Sequence, residues 1–331
     1  MSATARHLDL VRAAVARGSR APLYGLIFES VVRLMTGLVI LILFMMLATI
    51  IARGAPNMTW EFLSQPPRDM NTKGGIFPAL FGTAFVVIFM IVMALPLGVL
   101  GAVYMAEYGG AGLLSRLSRA AVANLAAVPS IVFGLFGLGF FVLFIGRHLD
   151  VALFGEGGRH LFGQGAMFWA AATLAILVLP LVIVSTEESL RAVPASAREA
   201  AYALGATRWQ VISRVVLPQA RPGILTGAIL AVARGAGELA PVLFVGVAAY
   251  MPDLPLTDPV NFGFFKMPVI NPFDAFMHLN YHIYTLATQS PNPDSTRGVQ
   301  FATTLVLVGL TVILNLAAIR MRQRYSGLQH K

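Results

Sequence analysis

The sequence predicts an all-α, polytopic membrane protein with six transmembrane helices, and three observations predict it. Apolar residues make up 57% of the 331-residue chain and charged residues 12%, roughly half the charge of a soluble domain of ordinary composition. Five stretches carry no charged residue, and each is long enough to cross a hydrocarbon core of ~30 Å. The lysines and arginines, finally, concentrate in alternate loops, as the positive-inside rule requires of a chain that crosses several times.

The first stretch, residues 34–52, begins too late and runs too long for the apolar segment of a cleaved signal peptide, so it is expected to stay as an anchor. Residues 76–106 are too few for two crossings with a turn, which predicts one long helix with Pro96 in its second half. Residues 120–145 form a third span, where Val128-Pro129 suggests a kink, and residues 166–186 a fourth. A fifth, 223–250, is apolar except for Arg234 and Glu238, and residues 301–319 complete the set. With both termini inside, the inner segments hold 16 of the 24 basic residues and the outer ones 7. Loop topology therefore absorbs most of the net charge of +9 without a nucleic-acid partner.

The domain reading follows. Residues 1–33 are a cytoplasmic N-terminal segment whose Arg6, Arg12, Arg17, Arg20 and Arg33 fit either a helix on the inner leaflet or a solvated tail. Residues 34–75 are the first helix and an external loop, 76–320 the transmembrane core, and 321–331 a cytoplasmic tail. Within the core, the external loop 251–300 holds seven prolines among aromatics such as Phe262, Phe264, Phe265, Tyr281 and Tyr284, which favours an ordered docking or gating surface. The chain has no internal repeat that would support an inverted-repeat carrier. Cysteine is absent, which excludes disulfides and thiolate chemistry.

Between the fourth and fifth spans, the inside loop 193–218 is unlike the rest of the chain. Pro194 with Ser196 signals a helix start, and Gly205 sits where a helix would end in a left-handed residue, predicting helices over 196–204 and 207–216. Both are too polar to span, yet Ala200, Ala201, Leu204, Trp209 and Val216 give them apolar faces. Small residues around Gly205 admit a second protein closely, and Glu199 adds a directional charge. Read from the pattern alone, the loop is either a docking element or an amphipathic connector on the lipid surface.

Its spacing resembles the EAA loop of ABC importer permeases: Glu199-Ala200-Ala201, three residues, Gly205, nine residues, Val215, one residue, Leu217-Pro218. The resemblance implies a type I, MetI-like permease core and a coupling helix that fits a cleft on an ATP-binding subunit. Hydrolysis would then belong to another chain. The only lysines, Lys73, Lys266 and Lys331, do not follow a glycine as a P-loop demands. No hydrolase motif or clustered metal ligands suggest an enzyme, so ATP-Mg is expected on the partner and no cofactor in this chain.

Arg234 and Glu238 stand in the fifth stretch at i, i+4, a spacing that puts them on one helix face. Each costs at least ~2.5–3.5 kcal/mol at membrane depth, so they are expected to face each other or a wet path. Two readings stand: they pair only to fix helix packing, or Arg234 offers its planar fork of donors to a translocating oxyanion while Glu238 orients it. Gly235 and Gly237 leave room beside the pair.

Residues 74–83, 128–138 and 233–241, within a likeness covering about 30–320, resemble the phosphate-specific permeases, the PstA type more than the PstC type. Leu239 stands where threonine is usual. That resemblance implies phosphate as cargo, a homologous PstC-like permease partner, two PstB-like ATP-binding subunits and an external PstS-like phosphate-binding protein in a bacterial inner membrane. The alternatives are the PstC-type subunit itself, a permease for sulfate or molybdate, a non-ABC carrier or channel, and a scaffold that has lost transport.

Overall fold

The computed structural model describes residues 21–69, 73–110, 112–158, 160–256, 260–261, 266–267, 269–290 and 292–327. Among them, six helices are long and apolar enough to cross a membrane. Arg6, Arg12, Arg17 and Arg20, the loop aromatics Phe262, Phe264 and Phe265, and the end of the tail lie outside the described residues.

Helix α1 (Ala21–Gly54) contains the uncharged stretch 34–52 but starts well before it. It carries Glu29 and Arg33 as an exposed ion pair of 2.6 Å one turn apart. A short helix α2 (Trp60–Ser64), capped by the Thr59 hydroxyl, and a two-strand ribbon of β1 (Pro67–Arg68) and β2 (Lys73–Gly74) lead into the second span. Helix α3 (Phe77–Tyr108) is one continuous crossing, with Pro96 inside it and a π-helical last stretch, Tyr104–Tyr108.

The third apolar stretch is not a kinked helix. It is divided between α4 (Leu113–Ala127) and α5 (Ser130–Phe154), with Val128 at φ −70°, ψ 131° between them. Pro129 accounts for this: its ring drives the preceding residue out of helical space, and its nitrogen has no hydrogen to donate. Once restarted, α5 runs on past Ile145 through Arg147 to Phe154.

Helix α6 (Met167–Arg191) is the best-covered span, and α3 and α8 pack on it most extensively. Helix α8 (Arg208–Gly237) corrects the fifth span twice. It starts inside the polar loop, so the expected helix 207–216 is its first turns, with a π-helical insert at Ile212–Val216; and it stops at Gly237, not 250. Close approach between α8 and α6 rests on small residues, since a Cβ on Gly227 would lie 2.7 Å from the Ser185 hydroxyl. Val86, Val87, Met90, Leu174, Leu177, Val178, Val182 and Ala231 fill the space among α3, α6 and α8.

After a four-residue helix α9 (Ala240–Leu243), the described parts of the following loop fold back on the bundle. Ala248 N donates to Phe276 O at 2.8 Å and Ala166 N to Val245 O at 2.9 Å, and β3 (Val260–Asn261) pairs with β4 (Lys266–Met267). The loop ends in α10 (Leu279–Thr288), followed by the last span α11 (Pro293–Gly327), whose helix begins eight residues before the uncharged stretch 301–319. α1 packs along α11, and its apolar side chains are otherwise bare, a surface that suits lipid tails and not water.

Candidate functional site

The loop between α6 and α8 is an exposed, hydrogen-bonded corner. Helix α7 (Ala195–Ala203) starts after Pro194 and ends in a Schellman turn: Gly205 N donates to Tyr202 O at 2.9 Å, and Ala206 N to Ala201 O at 3.2 Å. Gly205 closes it at φ +80°, where a β-carbon is unfavourable. Thr207 then starts α8 with a capping box, its own N–H reaching Gln210 Oε1 at 2.8 Å while its hydroxyl accepts from Gln210 N. The Thr-x-x-Gln signal for that box is readable in the sequence but was not part of the expected docking surface.

Of the residues expected there, Glu199, Ala200 and Gly205 are exposed, with Leu204 89% and Trp209 58% exposed beside them. Ala201 leans inward onto the cluster formed by Leu190, Val193, Val211 and Ile212, and Val216 is fully buried in it, so neither contributes to the outer face. Leu217 and Pro218 are half-buried, at the point where the corner joins the spanning part of α8.

What holds the corner is a charge cluster that the loop motif does not contain. Arg198 donates to Glu107 Oε1 at 2.7 Å and to Leu190 O at 2.6 Å. Arg208 donates to the Glu107 backbone carbonyl and lies over the Tyr108 ring at 4.5 Å. Glu107, only 9% exposed, thus fastens both sides of the corner to the end of α3. Nearby, Glu187 pairs with Arg191 at 2.7 Å and Arg119 at 3.5 Å, tying α4 to α6. In the sequence, Glu107 shows only as the first charge after the apolar run 76–106; its partner lies 91 residues away.

At the opposite end of α8 stand Arg234 and Glu238. They form an ion pair, Nε to Oε1 at 3.5 Å, but not on one helix face: Glu238 has left the helix, at φ −82°, ψ 131°. The Gly235-Ala236-Gly237 run is a weak helix former, and Pro241 sits at the start of α9 where its missing N–H is harmless, so the chain breaks where the pair sits. The Arg234 side chain is 41% exposed and that of Glu238 21%, so the pair is not sealed within the bundle. Gly235 is packed against Met90, whereas Gly237 has open space around it.

Two features were missed, the first of them at the break. Asn280, on α10, donates through Nδ2 to both Ala236 O and Glu238 O at 3.1 Å, satisfying carbonyls that the helix end leaves open. Asp150 accepts three backbone N–H groups, from Leu161, Phe162 and Gly163, at 2.7–3.0 Å, and fixes the turn between α5 and α6.

The geometry of a bare corner under a helical bundle agrees with what the chain is similar to. The family described as "Binding-protein-dependent transport system inner membrane component" matches residues 98–326. A probable ABC transporter permease protein, YqgI of Bacillus subtilis, is 32% identical over 81% of this chain and 85% of its own length. The phosphate transport system permease protein PstA of Haemophilus influenzae is 36% identical over 68% of this chain and 72% of its own length. PstA 1 of Mycobacterium tuberculosis H37Rv is 35% identical over 83% and 80%. Among solved structures, a bacterial ABC transporter involved in alginate import aligns with TM-score 0.61 and 14% identity over 88% of this chain and 94% of that one. The MetNI methionine ABC transporter aligns with TM-score 0.52 and 20% identity over 76% and 94%. The chain therefore belongs to the family of binding-protein-dependent transport system inner membrane components, and its fold is that of an ABC importer permease.

Proposed function

We propose that this chain is the transmembrane permease subunit of an ATP-driven inorganic phosphate importer in a bacterial cytoplasmic membrane. The observation that carries the coupling half of this reading is the exposed α7 corner, joined directly to the continuous helix that carries Arg234 near its far end. Relatives named as phosphate permeases, at 35–36% identity, support the cargo.

In this reading both termini lie inside, α7 docks on an ATP-binding subunit through Glu199, Ala200 and Gly205, and ATP-Mg is bound and hydrolysed there. A homologous PstC-like permease supplies the other half of the path, a second ATP-binding subunit docks beneath it, and an external PstS-like protein delivers phosphate. The oxyanion meets the exposed part of Arg234, and Glu238 opposite it keeps the guanidinium oriented and the hold weak enough for release.

The test is uptake of labelled phosphate by the reconstituted importer, with sulfate and molybdate as competitors. Phosphate uptake that needs ATP and survives both competitors supports the proposal. Uptake abolished by equimolar sulfate or molybdate would reassign the cargo, and ATP-independent uptake would remove the coupling role of α7.

A further inference from the structure

The Arg234–Glu238 pair sits at a break in the chain, and such a break does not hold its own geometry. The last carbonyls of α8 lack partners within the helix, and Glu238, which follows it, is extended. One of those carbonyls, Ala236 O, lies in the chain between the two charged residues, and a second carbonyl, Glu238 O, belongs to the pair itself. Both are taken by one side-chain amide, Asn280 Nδ2, at 3.1 Å each. An amide nitrogen carries two hydrogens, so its donor capacity is used in full at this spot.

Asn280 itself is held. It is 8% exposed, and its own N–H donates to the His278 ring at 3.3 Å. The residue before it, Leu279, donates its N–H to the Thr83 hydroxyl at 2.9 Å, and that hydroxyl donates in turn to Ala79 O at 2.7 Å. The start of α10 is thereby fastened to α3 on one side and to the broken end of α8 on the other. Because α10 belongs to the loop between the fifth and sixth spans, this loop has a covalent and hydrogen-bonded route to the charge pair.

From this we infer that Asn280 is a positioning residue: through its amide, the α10 loop sets where Glu238 stands relative to Arg234. The inference deepens the proposed anion contact and rests on it for its transport readout. Asparagine is required by chemistry as well as by size. Aspartate has the same shape, but its oxygens would face two carbonyl oxygens, with no hydrogen to share. Asn280→Gln keeps the donors on a longer arm and is the conservative variant.

The test uses the whole reconstituted importer and exploits the absence of cysteine from this chain. A single Leu239→Cys substitution places a thiol beside Glu238 at a half-buried position, where its reaction rate with a small charged thiol reagent reports how tightly the break is held. In that background, Asn280→Asp is expected to raise the labelling rate about tenfold or more, by analogy with opening of a locally protected site. In the otherwise unchanged chain, Asn280→Asp is expected to raise KM for phosphate and lower kcat together, with Asn280→Gln restoring part of both. An unchanged labelling rate, or unchanged KM with a fall in kcat that tracks lost complex, would overturn the inference. If Asn280→Asp does not assemble, Thr83→Val removes only the anchor of α10 on α3; faster labelling then supports the link and unchanged labelling overturns it. Labelling needs no transport, so an importer that moves no phosphate would sink the cargo reading while the role of Asn280 is still decided.

Discussion

Charged side chains stand at both ends of α8, Arg208 at one and Arg234 at the other. Arg234 is legible in the sequence because a charge within an apolar stretch is costly and therefore rare. Its relation to Glu238 is not, because an i, i+4 argument presumes an unbroken helix and this one ends at Gly237. Arg234→Gln keeps the size and some donors but removes the charge. It is expected to lower phosphate uptake at least a hundredfold while the assembled complex is recovered in normal yield; undiminished uptake would leave the pair with a packing role only.

A second residue-scale prediction concerns pH. Burial pushes the His278 and His282 imidazoles down to about 4, from an ordinary 6.5. Both are neutral when folded, whereas the unfolded chain takes up their protons below about 6.5. Their contribution to stability is complete above that pH and is lost as pH falls toward 4, at about 1.4 kcal/mol per pH unit for each ring. Thermal unfolding of the detergent-solubilised protein is expected to be flat above about pH 6.5 and to weaken on acidification. His282→Gln is expected to reduce that slope, and an unaltered slope would assign the acid sensitivity elsewhere.

The elements show which signals survive without tertiary context. Helix α7 and its glycine end were legible from Pro194, Ser196 and Gly205, since caps are local chemistry. The clamp on it was not, because Glu107 and Arg198 are brought together only by the fold. Gly205→Ala forces a β-carbon into left-handed space at a cost of about 1–2 kcal/mol, with no clash to relieve. It is expected to loosen the corner and leave ATP hydrolysis running with diminished uptake, as a ratio of phosphate moved to ATP consumed will show. Glu107→Gln is expected to act in the same direction by releasing Arg198. Its partner being only part-buried, the loss of stability should stay near ~1–3 kcal/mol. Normal coupling in either variant would make the corner a plain connector. For the third span, Pro129 announced a disturbance, but the choice between a kink and a break depends on neighbours that the sequence does not place.

At the scale of the molecule, the count of six crossings was legible because charge-free length is a global constraint that side-chain detail does not alter. Boundaries were less so. α1, α8 and α11 all begin before their apolar stretches, since helices tolerate paired or surface-facing charges near the membrane edge. In the proposed function, the bare α7 corner and the exposed part of Arg234 are each one side of a contact. Solubilised chain is therefore expected to be recovered with a second permease and two ATP-binding subunits, and Glu199→Lys to lose the latter selectively. Recovery of the unaltered chain without any ATP-binding subunit would argue against the importer.

Helix α8 is also a mechanical object. It is a single rod of 30 residues, and its π-helical insert, Ile212–Val216, lies close to the corner end. At ~1.5 Å per residue, Arg234 stands about 27 Å beyond the insert and Arg208 about 6 Å before it. A pivot there would make α8 a lever whose far arm is about 4.5 times the near one, so any tilt imposed at Arg208 would be delivered at Arg234 as a proportionally wider swing.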